Sequence, residues 1–229
     1  AHFAQEDWES SLHRIDTMLE VQRALERPAE DNARILINRA NVLGALGRFG
    51  EAQIELEDCL QVFQHDRARS VRVLSSLAIL FYEQGDMPQA VRQERRALTL
   101  CEQLPGPNDR AISHNNLAYY LERTGVSSAI AESSRHRLAA LIYFLVARLG
   151  QNLQTWLGQY AFDFRRAHDA GTPLAVPRVA ELLADPAFRP LDDWLRRRQV
   201  DVDEVQVVVD QYLEMARQAA LEQSTEQSP

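Results

Sequence analysis

Between Arg34 and Ile130 the apolar and polar positions recur in a fixed order around three glycines, Gly47, Gly85 and Gly125, which stand 38 and 40 residues apart. Seven residues before each glycine is an alanine (Ala40, Ala78, Ala118), and four before it a large apolar residue (Leu43, Phe81, Leu121). Five after it come Ala52, Ala90 and Ile130. Leu36, Ala40 and Leu43 fall on one stripe of a helix, as do Leu74, Leu77, Ala78 and Phe81. Each glycine is placed to end that helix by taking a positive φ. A second amphipathic segment follows, as in EAQIELEDCLQVF and QAVRQERRALTLCEQL. The pattern predicts helical hairpins. One such hairpin cannot bury its own apolar face, so neighbours must stack, with alanine where two helices cross closely.

These copies resemble the tetratricopeptide repeat. The likeness rests on Ala40, Leu43, Gly47, Phe49, Ala52 and Leu60 in the first unit, and on Leu77, Ala78, Phe81, Gly85, Ala90, Ala97 and Leu98 in the second. The third supplies Leu117, Ala118, Leu121 and Gly125. Their spacing exceeds the usual repeat of about 34 residues, and LPGPNDRAISHNNLAYYLERTG is similar to the longer repeats of kinesin light chains and many bacterial arrays. Some positions depart from the pattern: Arg39 stands where an apolar residue is expected, and Ser127 and Ser134 where larger ones are. The second helix of the third unit, near Ser128 to His136, is therefore expected to be short and poorly packed. The resemblance implies an all-α fold, a right-handed superhelix of hairpins closed by a non-repeat helical C-terminal cap.

Past the three repeats, residues 31–136, the period fails from Arg137 onward. Residues 1–30 align with GRFGEAQIELEDCLQVFQHD at an offset of 41, matching Trp8 to Phe49, Ile15 to Leu56 and Leu19 to Leu60. They read as the second half of a repeat whose first helix lies upstream, or as a solitary capping helix. Residues 137–222 read as the cap. In it RLAALIYFLVARLG and NLQTWLGQYAFDFRRAHDAG form a long hairpin, Gly171 and Pro173 break the chain, and short helices run near Pro177–Ala184 and Pro190–Arg198. Asp201 and Glu204 are suited to box the start of a last helix, and residues 223–229 read as a disordered tail.

The 229 residues carry a net charge of −8, which disfavours nucleic-acid or anionic-membrane partners. All 25 basic residues are arginines, so Schiff-base chemistry and a phosphate-loop lysine are excluded. The two cysteines, Cys59 and Cys101, form no CxxC, and fit reduced core thiols of a cytoplasmic protein. The apolar run Leu138 to Ala147, flanked by Arg137 and Arg148, is half a membrane span and reads as a buried helix. No GxSxG, HExxH, Walker loop or GxGxxG occurs, and no two of the six histidines stand at a helical ligand spacing. No enzyme, cofactor or metal is expected. His114 falls on the buried stripe of the third unit and reads as a packing residue, and RQERR (Arg92 to Arg96) and RRR (Arg196 to Arg198) as solvated faces.

The other face of the first helices carries the binding chemistry. Positions 13, 10, 9 and 6 before each glycine form an i, i+3, i+4, i+7 stripe. It reads Arg34, Ile37, Asn38, Asn41, then Arg72, Ser75, Ser76, Ile79, then Ile112, Asn115, Asn116, Tyr119. The resemblance implies that this stripe lines a concave groove for a peptide. Arg34, Asn38, Asn41, Arg72, Ser76, Ile79, Asn116 and Tyr119 are its candidate contacts. The amides and hydroxyl suit a peptide backbone, while Ile79 and Tyr119 offer apolar pockets. The function expected is a protein-interaction scaffold; the alternative is the sensor arm of a larger signalling enzyme whose catalytic part lies N-terminal to residue 1.

Overall fold

The computed structural model describes residues 2–150, 153–169, 171 and 174–225, most of which are helical, with no strand among them. The chain divides into two compact units, Ala1–Leu104 and Pro105–Pro229. The first holds α1 (His2–Ala24), α2 (Ala29–Ala45), α3 (Phe49–Val62), α4 (Arg67–Glu83) and α5 (Met87–Cys101). The second holds α6 (Pro107–Arg123), α7 (Ser127–Val146), α8 (Leu153–Asp169), α9 (Val179–Ala184), α10 (Arg189–Arg196) and α11 (Val202–Thr225).

The helix stops follow the glycines. Gly47, Gly85 and Gly125 have φ of 75°, 81° and 71°, a left-handed conformation that a side chain would strain. At Gly47 the turn is closed by Arg48 N–H donating to Leu43 O and Gly47 N–H to Gly44 O, both at 2.8 Å, which satisfies carbonyls the helix end would orphan. The turn at Gly85 repeats this, with Asp86 N–H on Phe81 O at 2.8 Å. Starts are capped by acids: Asp66 accepts from Arg69 N–H at 3.0 Å and Asp86 from Gln89 N–H at 3.1 Å.

Helices pack as consecutive pairs, α2 with α3, α4 with α5 and α6 with α7. Ala40, Ala78 and Ala118 are buried where the pairs cross. Arg39, the departure from the apolar pattern, is accommodated by ion pairs to Asp16 of α1 (2.6 Å) and to Glu55 of α3.

In the second unit two expectations are corrected. Ser128 to His136 is no short, loose helix. It is the first half of the 20-residue α7, and Ser133 and Ser134 are buried and bonded: Ser133 Oγ donates to Ala118 O at 2.8 Å and Ser134 Oγ to Ala175 O at 3.0 Å. Small side chains here let other backbone come close and then bond it. Nor do α7 and α8 form a long hairpin, for α8 packs chiefly on α11. The second half of α7, Leu138 to Phe144, is buried on every side, because α8, α9, α10 and α11 supply Trp156, Leu182, Trp194 and Val209 to the same core. Asp201 caps α11 through Asp203 N–H and Glu204 N–H at 2.8 and 3.3 Å. That helix runs through Thr225, beyond the expected end at 222. Pro173 and residues 226–229 lie outside the described residues. Among the described residues no helix is long and apolar enough to cross a membrane.

Candidate functional site

In the first unit α2 and α4 touch, so their stripes run side by side. Arg34, Asn38 and Asn41 on α2 and Arg72 and Ile79 on α4 are exposed, Ile79 at 42%. Ser76 is buried at 8%, so it offers a visitor little surface. Its neighbour Ser75 donates to Glu94 of α5 at 3.3 Å; Glu94, within RQERR, is fully buried, while Arg92, Arg95 and Arg96 of that cluster are exposed. In the second unit Asn116 and Tyr119 of α6 are half-buried. The apolar residues of α9, α10 and the turn between them, Leu182, Trp194 and Phe188, are spent in the core around α7.

Tyr119 opens onto chemistry that sequence spacing did not reveal. It lines a cavity of about 250 Å³ between α6 and α8, with Arg123, Thr155, Gln159, Phe162 and three deeper groups, Glu122, Arg137 and Asp163. Arg123 lays its guanidinium over the Tyr119 ring at 3.4 Å. Arg137, read from sequence as the flank of an apolar run, is 1% exposed and tied on every side. Its Nη2 donates to Glu122 Oε2 at 3.1 Å, its Nη1 to Gln159 Oε1 at 2.9 Å, and its Nε lies 2.7 Å from Asp163 Oδ2. Glu122 Oε1 is 3.0 Å from Arg166 Nη1. Asp163 Oδ1 is buried without a hydrogen-bond partner. Burial pushes the Asp163 carboxyl up to about 7, helped by the neighbouring Glu122 and opposed by Arg137.

A second buried pair joins α6 to α7. His114 Nδ1 and His136 Nδ1 are 2.8 Å apart, so one ring donates and the other accepts, and both rings pack on Phe188. His114 also stacks on Tyr143 at 5.8 Å. Burial, with His136 and Arg110 nearby, holds His114 well below its ordinary range, so it stays neutral. Among the described residues no group of three or more His, Cys, Asp or Glu is arranged to hold a metal ion. Cys59 is buried, its thiol pushed up to about 11 mainly by desolvation, which disfavours a reactive thiolate.

Both clusters were hidden because their members come from different helices, 15 to 41 residues apart. The available signal was a charged residue on an apolar face: Arg137 directly precedes seven consecutive buried residues.

The family model of the tetratricopeptide repeat matches residues 71–111, which run from α4 through α5 into the start of α6. The chain therefore contains a tetratricopeptide repeat, a protein-interaction module of a family that is typically non-catalytic. No curated protein matches the chain.

Proposed function

We propose that this tetratricopeptide-repeat chain binds a peptide segment of a protein partner along the exposed stripe of its first helices. The observation that carries the reading is the pairing of Arg34, Asn38 and Asn41 with Arg72 and Ile79 on touching helices, solvent-facing and uncommitted to the core. Amide side chains at that spacing suit the alternating donors and acceptors of a peptide backbone. Arg34 and Arg72 occupy equivalent places in successive repeats, so one acidic group of the peptide lies between them. Asn116 and Tyr119 hold the equivalent places on α6 of the second unit, where they offer a peptide the same chemistry.

Panning a peptide library on the chain and measuring the enriched peptides by calorimetry tests this. Asn41→Ala or Asn116→Ala is expected to cost about 0.5–1.5 kcal/mol of affinity, the net worth of a neutral hydrogen bond. Tyr119→Ala is expected to cost about 2 kcal/mol, as aromatic anchors do. Unchanged affinity in all three folded variants places the contact elsewhere and rejects the reading.

A further inference from the structure

We propose that α1 presents a docking face for a basic amphipathic helix of a partner protein, held against α1 as the first helix of a hairpin is held against the second. The face lies on a different helix from the stripe of α2 and α4, and the inference does not depend on the peptide reading above.

Register defines the face. Residues of α1 align with residues of α3 at an offset of 41, so Ser11, Ile15, Met18 and Gln22 stand where α3 has Ala52, Leu56, Cys59 and Phe63. Those four of α3 are buried, and Cys59 Sγ donates to Ala33 O of α2 at 3.7 Å. Helix α5 repeats the arrangement: Ala90, Glu94, Ala97 and Cys101 are fully buried, the helix packs chiefly on α4, and Ser75 of α4 donates to Glu94. In both, the first helix of the hairpin covers the stripe. Among the described residues α1 packs chiefly on α2, through the buried Leu12 and Leu19, which leaves its own stripe open on the far side. Trp8 is 43% and Met18 53% exposed, and Val21 and Leu25 are exposed beside them. Large apolar side chains grouped in this way on a surface mark a contact site.

The equivalent stripes show what fits. Their first helices bring an alanine with a large apolar residue three further on, Ala40 and Leu43 on α2 and Ala78 and Phe81 on α4. Ser11 keeps the small position held by Ala52 and Ala90, so another backbone can come close there, while Trp8 and Met18 give apolar area on either side. Charge selects a basic helix. Helix α1 carries five acids (Glu6, Asp7, Glu9, Asp16 and Glu20) against two arginines (Arg14 and Arg23), a net charge of −3. One arginine of a first helix already answers it, since Arg39 of α2 lies 2.6 Å from Asp16. Helix α4 has the character required, with Arg67, Arg69 and Arg72 against the single acid Glu83. Two copies of α1 laid together would instead bring like charge to like, which opposes self-association through this face.

The test uses the 229-residue chain and the fluorescence of Trp8, because the other two tryptophans, Trp156 and Trp194, are buried. The probe is an end-capped peptide of the α4 sequence, Arg67–Glu83, which contains no tryptophan. Its controls are a scrambled peptide of the same composition and a version with the three arginines replaced by glutamine. The α4 peptide is expected to shift Trp8 emission to the blue, to protect it from acrylamide, and to bind at least five-fold tighter than either control at low salt. The advantage over the glutamine version should shrink as added salt screens the charges. Met18→Glu and Val21→Glu, at exposed positions that leave the helical circular dichroism unchanged, are expected to weaken binding at least five-fold. Ile54→Glu, at an exposed position of α3 outside the equivalent stripe, should leave it unchanged. Equal binding of the α4 peptide and either control overturns the proposal, as does binding that survives Met18→Glu or leaves Trp8 unshifted. A blue shift of Trp8 that grows with the concentration of the chain alone, with a dimer in sedimentation, would give the face to a second copy and overturn it equally.

Discussion

Replacing Arg137 by methionine is the sharpest probe of how the second unit is held together. The side chain is 1% exposed and meets Glu122 at 3.1 Å, Asp163 at 2.7 Å and Gln159 at 2.9 Å. Methionine keeps most of the volume, so little of the effect comes from a void. What is lost is one of the two close partners of Glu122, which is 5% exposed and keeps Arg166 at 3.0 Å, and the ion-pair partner of Asp163, which is 11% exposed. Breaking a buried ion pair from one side costs about 3–5 kcal/mol, because the remaining charge is stranded. At roughly 2–4 °C per kcal/mol for a chain of this size, the midpoint of thermal unfolding should fall by about 6–20 °C. Arg135→Met is the control: its guanidinium pairs with Asp185 at 3.1 Å but is 51% exposed, so the loss should stay below about 1 kcal/mol. Adding Glu122→Gln and Asp163→Asn to Arg137→Met should recover a large part of the loss, since the stranded charges are gone. Calorimetric scans of the four proteins decide it. Arg137→Met unfolding within a degree or two of the parent, or no recovery in the triple variant, would refute the picture of a charge network under mutual constraint.

Two buried groups tilt stability against pH in opposite senses. Asp163 is raised to about 7, so the stability it contributes is full below its unfolded value near 4 and is lost as pH climbs through 7. His114 is depressed, so its contribution is full above about 6.5 and is lost as pH falls through its folded value. Urea titrations between pH 4.5 and 7.5 should therefore show Asp163→Asn becoming relatively more stable as pH rises, and His114→Phe relatively less stable; matching slopes in both variants would contradict the assignments. In the first unit, Ala78→Leu should destabilise by about 1–3 kcal/mol through overpacking at a fully buried crossing, whereas Glu83→Leu, at an exposed position, should cost far less; equal shifts in thermal scans would mean that the crossing is misplaced. Short peptides with an acidic C-terminus should not bind the α2 stripe with micromolar affinity through their terminal carboxylates alone, because Ile37 in its middle offers no charge-assisted bond; micromolar binding by calorimetry would overturn this.

The repeats were legible because one local rule wrote them three times: a glycine able to turn left-handed, an alanine seven residues before it and a large apolar residue between. The buried Ala40, Ala78 and Ala118 and the positive φ at Gly47, Gly85 and Gly125 follow that rule. The third hairpin's second helix misled because size alone was weighed. Ser133 and Ser134 look like poor packers until their hydroxyls meet Ala118 O and Ala175 O, and the second of those acceptors lies 41 residues away. The charge cluster was illegible for the same reason. Glu122, Arg137 and Asp163 belong to three helices, and no periodicity along one helix brings them together. The exposed stripe on α2 and α4 could be drawn from spacing, but the burial of Ser76 could not, since it depends on how neighbouring helices lean over that position.

Tandem arrays lengthen and shorten over evolutionary time by whole hairpins, because the seams between them carry only nearest-neighbour contacts. Helix α7 has no such seam. Its 20 residues span about 30 Å, and the stretch that completes the third hairpin passes without a break into the stretch that Trp156, Leu182 and Trp194 enclose. A duplication or deletion with its breakpoint anywhere in α7 would leave half an apolar rod with nothing to cover it. The third hairpin and the C-terminal third thus share one uninterrupted helix, and neither can be cut from the other without laying apolar surface bare.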